Sequence, residues 1–280
     1  MQEDRPKGTG RQRLGVDFGT GSTVVAIRDE RGIIRLHDFP GWIRHFPSGI
    51  PEHPVPRVPS QILYSETGIR SIGAAVPPAG PNPAGTVRWL RHYILENSTV
   101  QVPSGGGRMT GYRNTGSDFL TALLTQAPGS SAGTTEVVFS VPVDAPHHYS
   151  AWLRAVAMAA GFSVPFVIDE PCAAVAGYNL HLSVGSLYLL ADFHADGIDI
   201  SLFSPEEFSE DAGGIFSQVL GKAHENTGGS MIDEWIVQDV LARNRLHETD
   251  SRAARILPII RHEAGKVREA LVLNLEAAVH

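Results

Sequence analysis

The sequence is poor in cysteine and in long apolar runs, and each shortage excludes a class of structure. Cys172 is the single cysteine among 280 residues, so a disulfide within the chain is impossible. One thiol also argues against a thiolate metal cluster, and a reducing compartment fits this composition best. We expect Cys172 to be a buried packing residue, because small apolar residues follow it.

Membrane and secretory signals are also missing. No apolar run approaches the roughly 18 residues of a membrane-spanning helix, and the polar stretch 1–13 lacks the apolar core of a secretory signal. The formal net charge is −7, from 23 basic and 30 acidic side chains, and no basic stripe stands out. Nucleic acid and anionic membrane surfaces are therefore poor partner candidates. The default expectation is a cytoplasmic protein.

Apolar runs alternate with turn-forming residues in an order that predicts an α/β fold. Strand hairpins are predicted over 14–27 and 187–203. Ser117 is a plausible helix N-cap, and Pro258 and Gly265 are potential breaks in the last helix. The other predicted elements are a loop over 40–59, strands over 61–64, 69–72, 136–141, 165–168 and 216–225, and helices over 86–95, 117–125, 145–161, 170–178, 230–243 and 256–278.

The two hairpins resemble each other in sequence. An apolar strand ends at Asp17-Phe18 in the first and at Asp192-Phe193 in the second, and a turn follows in both. This repetition hints at an internal duplication. It predicts two related lobes, over 14–183 and 184–280, behind a flexible arm at 1–13.

The segment from Asp17 to Ser22 is the sharpest local signal. A carboxylate at the end of a strand can hold the water shell of a magnesium ion. Glycines let backbone N–H groups approach a phosphate, and the hydroxyls of Thr20 and Ser22 add donors. An ordinary glycine hairpin explains this segment equally well, so both interpretations stay open.

Five segments in order resemble the nucleotide-binding domain of the seventy-kilodalton heat-shock chaperones. The closest likeness lies in Asp169-Glu170-Pro171-Cys172-Ala173-Ala174, which resembles the family's Asn-Glu-Pro-Thr-Ala-Ala. The resemblance implies the actin-like ATPase (ribonuclease H-like) fold, with two lobes around a nucleotide cleft. The five segments are 17–22, 138–143, 167–178, 189–201 and 224–233.

The resemblance implies a site for ATP or ADP with magnesium. Asp17 and Asp192 would hold the magnesium through water, and Glu170 would act beside the attacking water as base or as support for the magnesium shell. These three are the implied catalytic residues. Pro142 would be the hinge that couples the nucleotide to lobe closure, and a client or co-chaperone protein is the implied partner. Gly19, Thr20 and Gly21 would wrap the phosphates, and Glu263 and Lys266 would lie beside the adenosine. The other implied nucleotide-binding residues are Ser22, Gly197, Gly228 and Gly229.

The sequence departs from the family at two catalytic places. His194, Ala195 and Asp196 stand where the family's second phosphate loop has three glycines, so side chains would crowd the phosphate and a carboxylate would repel it. Val76 stands where the family has a catalytic lysine. A cation would have to come from an arginine, and Arg70 and Arg88 are the nearest in sequence.

The last helix and the end of the chain depart from the family as well. Val267 and Ala270 replace polar residues that the family places around the adenine. The chain also ends before the family's ATPase domain does, so the second lobe is expected to be incomplete. A fragment and a shortened relative remain equally open.

Three functions follow from these observations. The first is an ATP-binding, chaperone-type domain with weak or lost hydrolysis. The second is a nucleotide-independent pseudo-ATPase that acts as a protein-binding scaffold. The third is a sugar or acetate kinase, since those enzymes share the fold, but residues 170–174 resemble chaperones and argue against it.

Two further composition features are interpreted as structural. The glycine run in 104–108 lacks the Lys-Ser/Thr pair of a phosphate loop, so it predicts a flexible loop. The twelve histidines show no His-x-x-x-His pair with a matching carboxylate. His37, His45 and His53 are scattered through loops, and His147 and His148 are adjacent. We interpret the histidines as surface or loop side chains and not as metal ligands.

Overall fold

A computed structural model describes residues 12–46, 55–77, 85–127, 136–178, 182–206 and 216–271. These residues form two compact units, one holding 12–76 and 85–178, the other holding 182–206 and 216–271. The boundary after residue 183 stays a prediction. Most of the predicted N-terminal arm, His53 and the last helix beyond Leu271 lie outside the described residues.

The first unit contains twelve strands and four α-helices among its described residues. Short 3₁₀ helices also lie at Gly73–Ala75 and Gly105–Gly107. The strands are β1 (Arg13–Phe18), β2 (Ser22–Arg28), β3 (Ile34–Leu36), β4 (Arg44–Phe46), β5 (Val55–Pro59), β6 (Ile62–Ser65), β7 (Gly68–Ile72), β8 (Thr86–Val87), β9 (Gln101–Pro103), β10 (Met109–Gly111), β11 (Glu136–Val141) and β12 (Val164–Asp169), and the helices are α1 (Leu90–Leu95), α2 (Tyr112–Gln126), α3 (His147–Ala159) and α4 (Glu170–Gly177).

The main sheet is mixed and has the order β12-β11-β1-β2-β5-β4, with β3 paired beside β2. The pair β1 and β2 is antiparallel, whereas β11 and β12 run parallel to β1. The parallel step from β11 to β12 passes through α3, as a parallel connection requires a crossover. The predicted α/β class is therefore confirmed.

Alternating burial explains why the first hairpin forms where the sequence predicts it. In β1, every second residue is apolar and buried, namely Leu14, Val16 and Phe18. In β2, Val25 and Ile27 are buried on the same period of two. One face of the sheet thus enters the core, where the helices α1, α2 and α3 contribute Leu90, Phe119, Tyr149 and Leu153 among others.

The helix around Ser117 starts earlier than the sequence predicts. Tyr112 opens α2 and stacks on Tyr93 of α1, with ring centroids 4.2 Å apart. Ser117 therefore lies inside the helix, where its Oγ donates to the Arg113 carbonyl at 2.8 Å and accepts from Trp152 Nε1 at 3.0 Å. The prediction of Ser117 as an N-cap is wrong, because aromatic packing continues the helix backwards by five residues.

Three other local predictions are wrong. The predicted helix over 86–95 is divided, because Trp89 adopts a left-handed φ of 62° between β8 and α1. The predicted loop over 40–59 contains β4 and β5, which pair with each other. Cys172 is partly exposed and not buried.

The second unit is a three-stranded antiparallel sheet with two helices. The strands β13 (Tyr188–Phe193), β14 (Ile198–Glu206) and β15 (Phe216–Glu225) form a meander. The helices α5 (Gly229–Arg243) and α6 (Ser251–Leu271) pack through an apolar cluster that includes Val237, Leu241, Leu257 and Ala264.

The last helix is continuous through both of its expected breaks. Pro258 removes one backbone N–H and lies inside α6. Leu257, Ile260 and Ala264 belong to the apolar cluster that α6 shares with α5, and this packing compensates for the lost bond. No helix in the described part of the chain is both long and apolar enough to span a membrane.

Candidate functional site

Three predicted elements bring polar side chains to one edge of the main sheet. The parallel strands β1, β11 and β12 end at this edge, and Asp17 and Ser140 are direct cross-strand partners there. Ser140 Oγ donates to Asp17 Oδ1 at 3.1 Å. Glu170 opens α4 immediately after β12. The fold thus places two predicted site residues at the ends of β1 and β12, on either side of β11, and adds Ser140 from β11, which the sequence analysis missed.

A buried arginine from α1 completes this edge. Arg91 is 5% exposed, and its Nη1 donates to Glu170 Oε1 at 2.8 Å. The same nitrogen makes a long contact of 3.5 Å to the Phe18 carbonyl at the end of β1. Arg91 therefore joins β1 to α4 and supplies a positive charge at the site.

Within the described residues, the structure does not bring either of the two arginines nearest in sequence to this site: one is exposed and the other bonds elsewhere. Arg70 is exposed on β7, and Arg88 Nε donates to Gln61 Oε1 at 2.8 Å. Val76, the position of the family's lysine, is buried. The sequence contains one indication of this role: Arg91 is a charged residue between Leu90 and Ile94, on a helix face that is buried. A charged side chain buried on such a face requires an ionic partner inside the protein.

Tyr149 of α3 lies against the same charges. Burial raises its pKa, Arg91 opposes the rise, and the carboxylates of Glu170 and Asp17 add to it. The ring is fully buried, and within the described residues its hydroxyl has no hydrogen-bond partner. The hydroxyl is thus a cost to stability at this position.

The turn between β1 and β2 is anchored by a serine that the sequence analysis also missed. Gly19 N–H donates to the Ser22 carbonyl at 3.1 Å and closes the turn. Ser60 Oγ donates to the Gly19 carbonyl at 2.7 Å, and Ser60 N–H donates to the Gly21 carbonyl at 3.1 Å. Ser60 also meets Thr23 Oγ1 at 2.9 Å. These bonds fix the orientation of the peptide groups in the turn.

Glycine is required at the first position of this turn. A Cβ added to Gly19 would lie 2.5 Å from the Ser22 carbonyl oxygen. Thr20, the next residue, is 6% exposed and takes part in the packing of the turn. Pro142, the predicted hinge, is buried directly after β11, and its carbonyl accepts from Ala145 N–H at 2.9 Å. Its hinge role stays a prediction.

The turn of the second hairpin has the same length and the same closing hydrogen bond. In both hairpins four residues separate the last strand pair, Phe18 with Thr23 and Phe193 with Ile198. His194 N–H donates to the Gly197 carbonyl at 3.0 Å, as Gly19 does to Ser22. The structure thus supports the repetition seen in the sequence and places His194 at the position of Gly19.

The carbonyl groups of the second turn cap the helix α5. Gly229 N–H donates to the His194 carbonyl at 3.0 Å, and Ser230 N–H donates to the Ala195 carbonyl at 2.9 Å. A Cβ on Gly228 would collide with the backbone of Gly197. Gly228 and Gly229 thus have a structural role in close packing, and these two helix N–H groups point at the turn.

The remaining predicted site residues lie in the second unit, on its three-stranded sheet and on α6. Asp192 is the cross-strand partner of Asp199. Lys266 Nζ donates to Glu263 Oε1 at 2.7 Å, which forms a half-exposed pair along one helix face. Their predicted roles at magnesium and adenosine stay predictions.

Comparison with known proteins points to a class of chaperone. No protein-family model matches the chain. The chain is similar to a chaperone of the seventy-kilodalton heat-shock type, which supports the resemblance seen in the motifs. The relative is the chaperone protein HscA homolog of Rickettsia felis, 25% identical over 232 residues. The match covers 80% of this chain but only 34% of the relative, so the chain spans about a third of that protein.

Proposed function

We propose that the chain is a chaperone-type nucleotide-binding domain of the actin-like ATPase fold, which binds ATP or ADP with magnesium and hydrolyses ATP weakly or not at all. The observation that carries the proposal is the meeting of Asp17, Ser140 and Glu170 at adjacent strand ends. Similarity to a chaperone over most of this chain supports it. We propose this function only for the region that this chain shares with the relative.

The first turn fits a magnesium nucleotide by its chemistry. Asp17 is exposed at its strand end, where a carboxylate can accept bonds from the water shell of a hard cation. A turn with few side chains lets backbone N–H groups approach a phosphate. Gly19, Thr20, Gly21 and Ser22 would hold the phosphates, and magnesium would supply charge neutralisation there.

The second turn supports weak or absent hydrolysis. His194, Ala195 and Asp196 carry side chains where a phosphate needs open backbone, and the N–H groups of Gly229 and Ser230 are engaged by turn carbonyls. Glu170, the implied base, is paired with Arg91 at 2.8 Å. An ion-paired carboxylate is a weaker proton acceptor, since the neighbouring cation favours its charged form.

These same observations favour a second candidate, a nucleotide-independent pseudo-ATPase that serves as a protein-binding scaffold. Its specific support is the second turn, whose carbonyl groups cap α5. A client or co-chaperone would be the partner in either case.

Isothermal titration with ATP and magnesium separates the two candidates. The wild-type chain is compared with Asp17→Asn, which removes the charge but keeps an oxygen for the Ser140 bond, and with Ser140→Ala, which removes the bond but keeps the charge. We expect Asp17→Asn to weaken binding at least roughly tenfold, or about 1.4 kcal/mol, and Ser140→Ala to weaken it less. Equal affinity in wild type and Asp17→Asn contradicts binding at the first turn. A folded wild-type chain that binds no nucleotide favours the scaffold.

A further inference from the structure

Two histidines and a carboxylate converge beside the turn of the second hairpin. His194 Nε2 lies 3.0 Å from Asp199 Oδ2, and His224 Nδ1 lies 2.7 Å from Asp199 Oδ1. One ligand atom from each of the three residues lies within 4.8 Å of the others. Two imidazoles and a carboxylate form a donor set that transition metal ions favour.

The backbone of the second unit holds these residues in place. Asp199 and His224 are direct cross-strand partners on β14 and β15, and His194 begins the turn before β14. Asp192 is the partner of Asp199 on the other side, so a second carboxylate stands in the same row across the sheet. A Cβ on Gly197 would lie 2.7 Å from His224 Cε1, so glycine makes room for the imidazole.

The charges and hydrogen bonds of the cluster suit a cation. Each oxygen of the Asp199 carboxylate faces one imidazole nitrogen, so a negative charge stands between the two histidines. His224 Nε2 lies 2.9 Å from Asn226 Oδ1. With a metal on Nδ1, this Nε2–H would donate to Asn226, as the second nitrogen of a metal-bound histidine usually does.

Exposure allows an ion to enter. His224 is exposed, and His194 and Asp199 are half-buried. The Asp196 N–H contacts His194 Nδ1 at 3.4 Å, which puts the imidazole proton on Nε2. Metal binding to Nε2 would move that proton to Nδ1. The contact with the Asp196 N–H would then be lost, which is a small cost compared with the gain of a metal–nitrogen bond.

We propose that His194, Asp199 and His224 form a binding site for a divalent transition metal ion, with zinc as the fitting ion. Three protein ligands leave a coordination position open for water or for another ligand. Imidazole nitrogens favour zinc over magnesium, which prefers oxygen ligands. The site uses residues of the second unit alone and does not depend on nucleotide binding.

The alternative is a network of histidine–aspartate ion pairs that needs no metal. Isothermal titration of the full chain with zinc chloride, after treatment with a chelator and in a non-coordinating buffer, decides between them. We expect one equivalent of zinc to bind, and binding to weaken at least tenfold in each of His194→Gln, Asp199→Asn and His224→Gln. Asn226→Ala should weaken zinc binding roughly tenfold, because His224 Nε2–H would lose its hydrogen bond to Asn226.

His247→Gln is the matched control, because His247 is an exposed histidine of the same unit outside the cluster. It should bind zinc as the wild type does. Thermal unfolding gives a second readout that separates misfolding from lost ligands: zinc should raise the midpoint of the wild type and of His247→Gln, but not of the cluster variants. Cobalt, substituted for zinc, should give a visible absorption band that His224→Gln lacks. Absent zinc binding, or binding that survives in the three cluster variants, overturns the proposal.

Discussion

The buried ion pair of the first unit allows a quantitative prediction. Arg91 and Glu170 are 2.8 Å apart, and their side chains are 6% and 15% exposed. Arg91→Met keeps apolar volume but removes the guanidinium that pairs with the Glu170 carboxylate. Removing one member of a buried pair costs about 3–5 kcal/mol, because the remaining charge stays desolvated. We expect a loss of this size in the free energy of unfolding.

A second substitution reverses part of this loss. Glu170→Gln in the Arg91→Met background removes the stranded charge, so the double variant should be more stable than Arg91→Met alone. If the two substitutions destabilised the protein independently, the double variant would be less stable than Arg91→Met. The comparison therefore tests whether the cost arises from the unpaired charge or from lost packing volume.

An exposed pair of the same unit provides the matched control. Arg35 and Asp29 lie 4.0 Å apart, with side chains 61% and 24% exposed. Arg35→Met should cost at most about 1 kcal/mol, since exposed pairs contribute little. Burial is not the source of the cost if Arg91→Met lowers the free energy of unfolding no more than Arg35→Met does. The same holds if the double variant is the least stable of the series.

Urea unfolding followed by tryptophan fluorescence measures these differences. Trp42, Trp89 and Trp152 belong to the first unit, and Trp235 belongs to the second. Trp235 is 57% exposed, so Trp235→Phe is a mild background change. In that background the fluorescence reports on the first unit, and unfolding of the second unit does not obscure the transition.

Two further predictions concern single groups. Tyr149→Phe should leave the free energy of unfolding of the first unit unchanged or raise it by up to about 1 kcal/mol. The reason is that the hydroxyl is buried without a partner among the described residues. A loss above about 1 kcal/mol in urea unfolding contradicts this expectation. Asp199→Asn should destabilise the metal-free second unit by about 2 kcal/mol at pH 7, since the folded pKa is about 2 against an ordinary value of 3.8. A lowered folded pKa stabilises the second unit above pH 4, so the difference in free energy of unfolding between wild type and Asp199→Asn should shrink from pH 4 to pH 2. Amide hydrogen exchange of β14 and β15 measures this difference for the second unit alone, and a difference that does not change with pH contradicts the expectation.

Local periodicity was sufficient for much of the fold. Both hairpins, the strand–helix–strand unit of β11, α3 and β12, and the helix that begins at Glu170 lie where the sequence predicts them. Each has a clear pattern of apolar residues, with a period of two in β1 and β2. The division of the predicted helix over 86–95 was not predictable this way, because Trp89 adopts a left-handed conformation that its residue type rarely takes.

The candidate site was only half visible in the sequence, since its members meet through pairing between distant strands. Asp17 and Glu170 have motif neighbours that identify them. Arg91 and Ser60 have none, and they reach the site because α1 and β5 pack beside β1 and β2. The sequence predicts surface or loop positions for His194 and His224, yet the β14–β15 register brings His224 to Asp199 and the turn before β14 brings His194 there.

The equal construction of the two hairpin turns has a consequence for ligand choice. A four-residue turn closed by one backbone bond is a fixed frame, and its side chains decide the sign of the charge that it attracts. Gly19 closes the first turn through its own N–H and adds no side chain, so the other backbone N–H groups of that turn can favour an anion. Imidazole at the same position presents a nitrogen lone pair, which favours cations. The two turns share their length and their closing hydrogen bond but differ at this residue, Gly19 or His194, so hairpins of one design can serve opposite ligands.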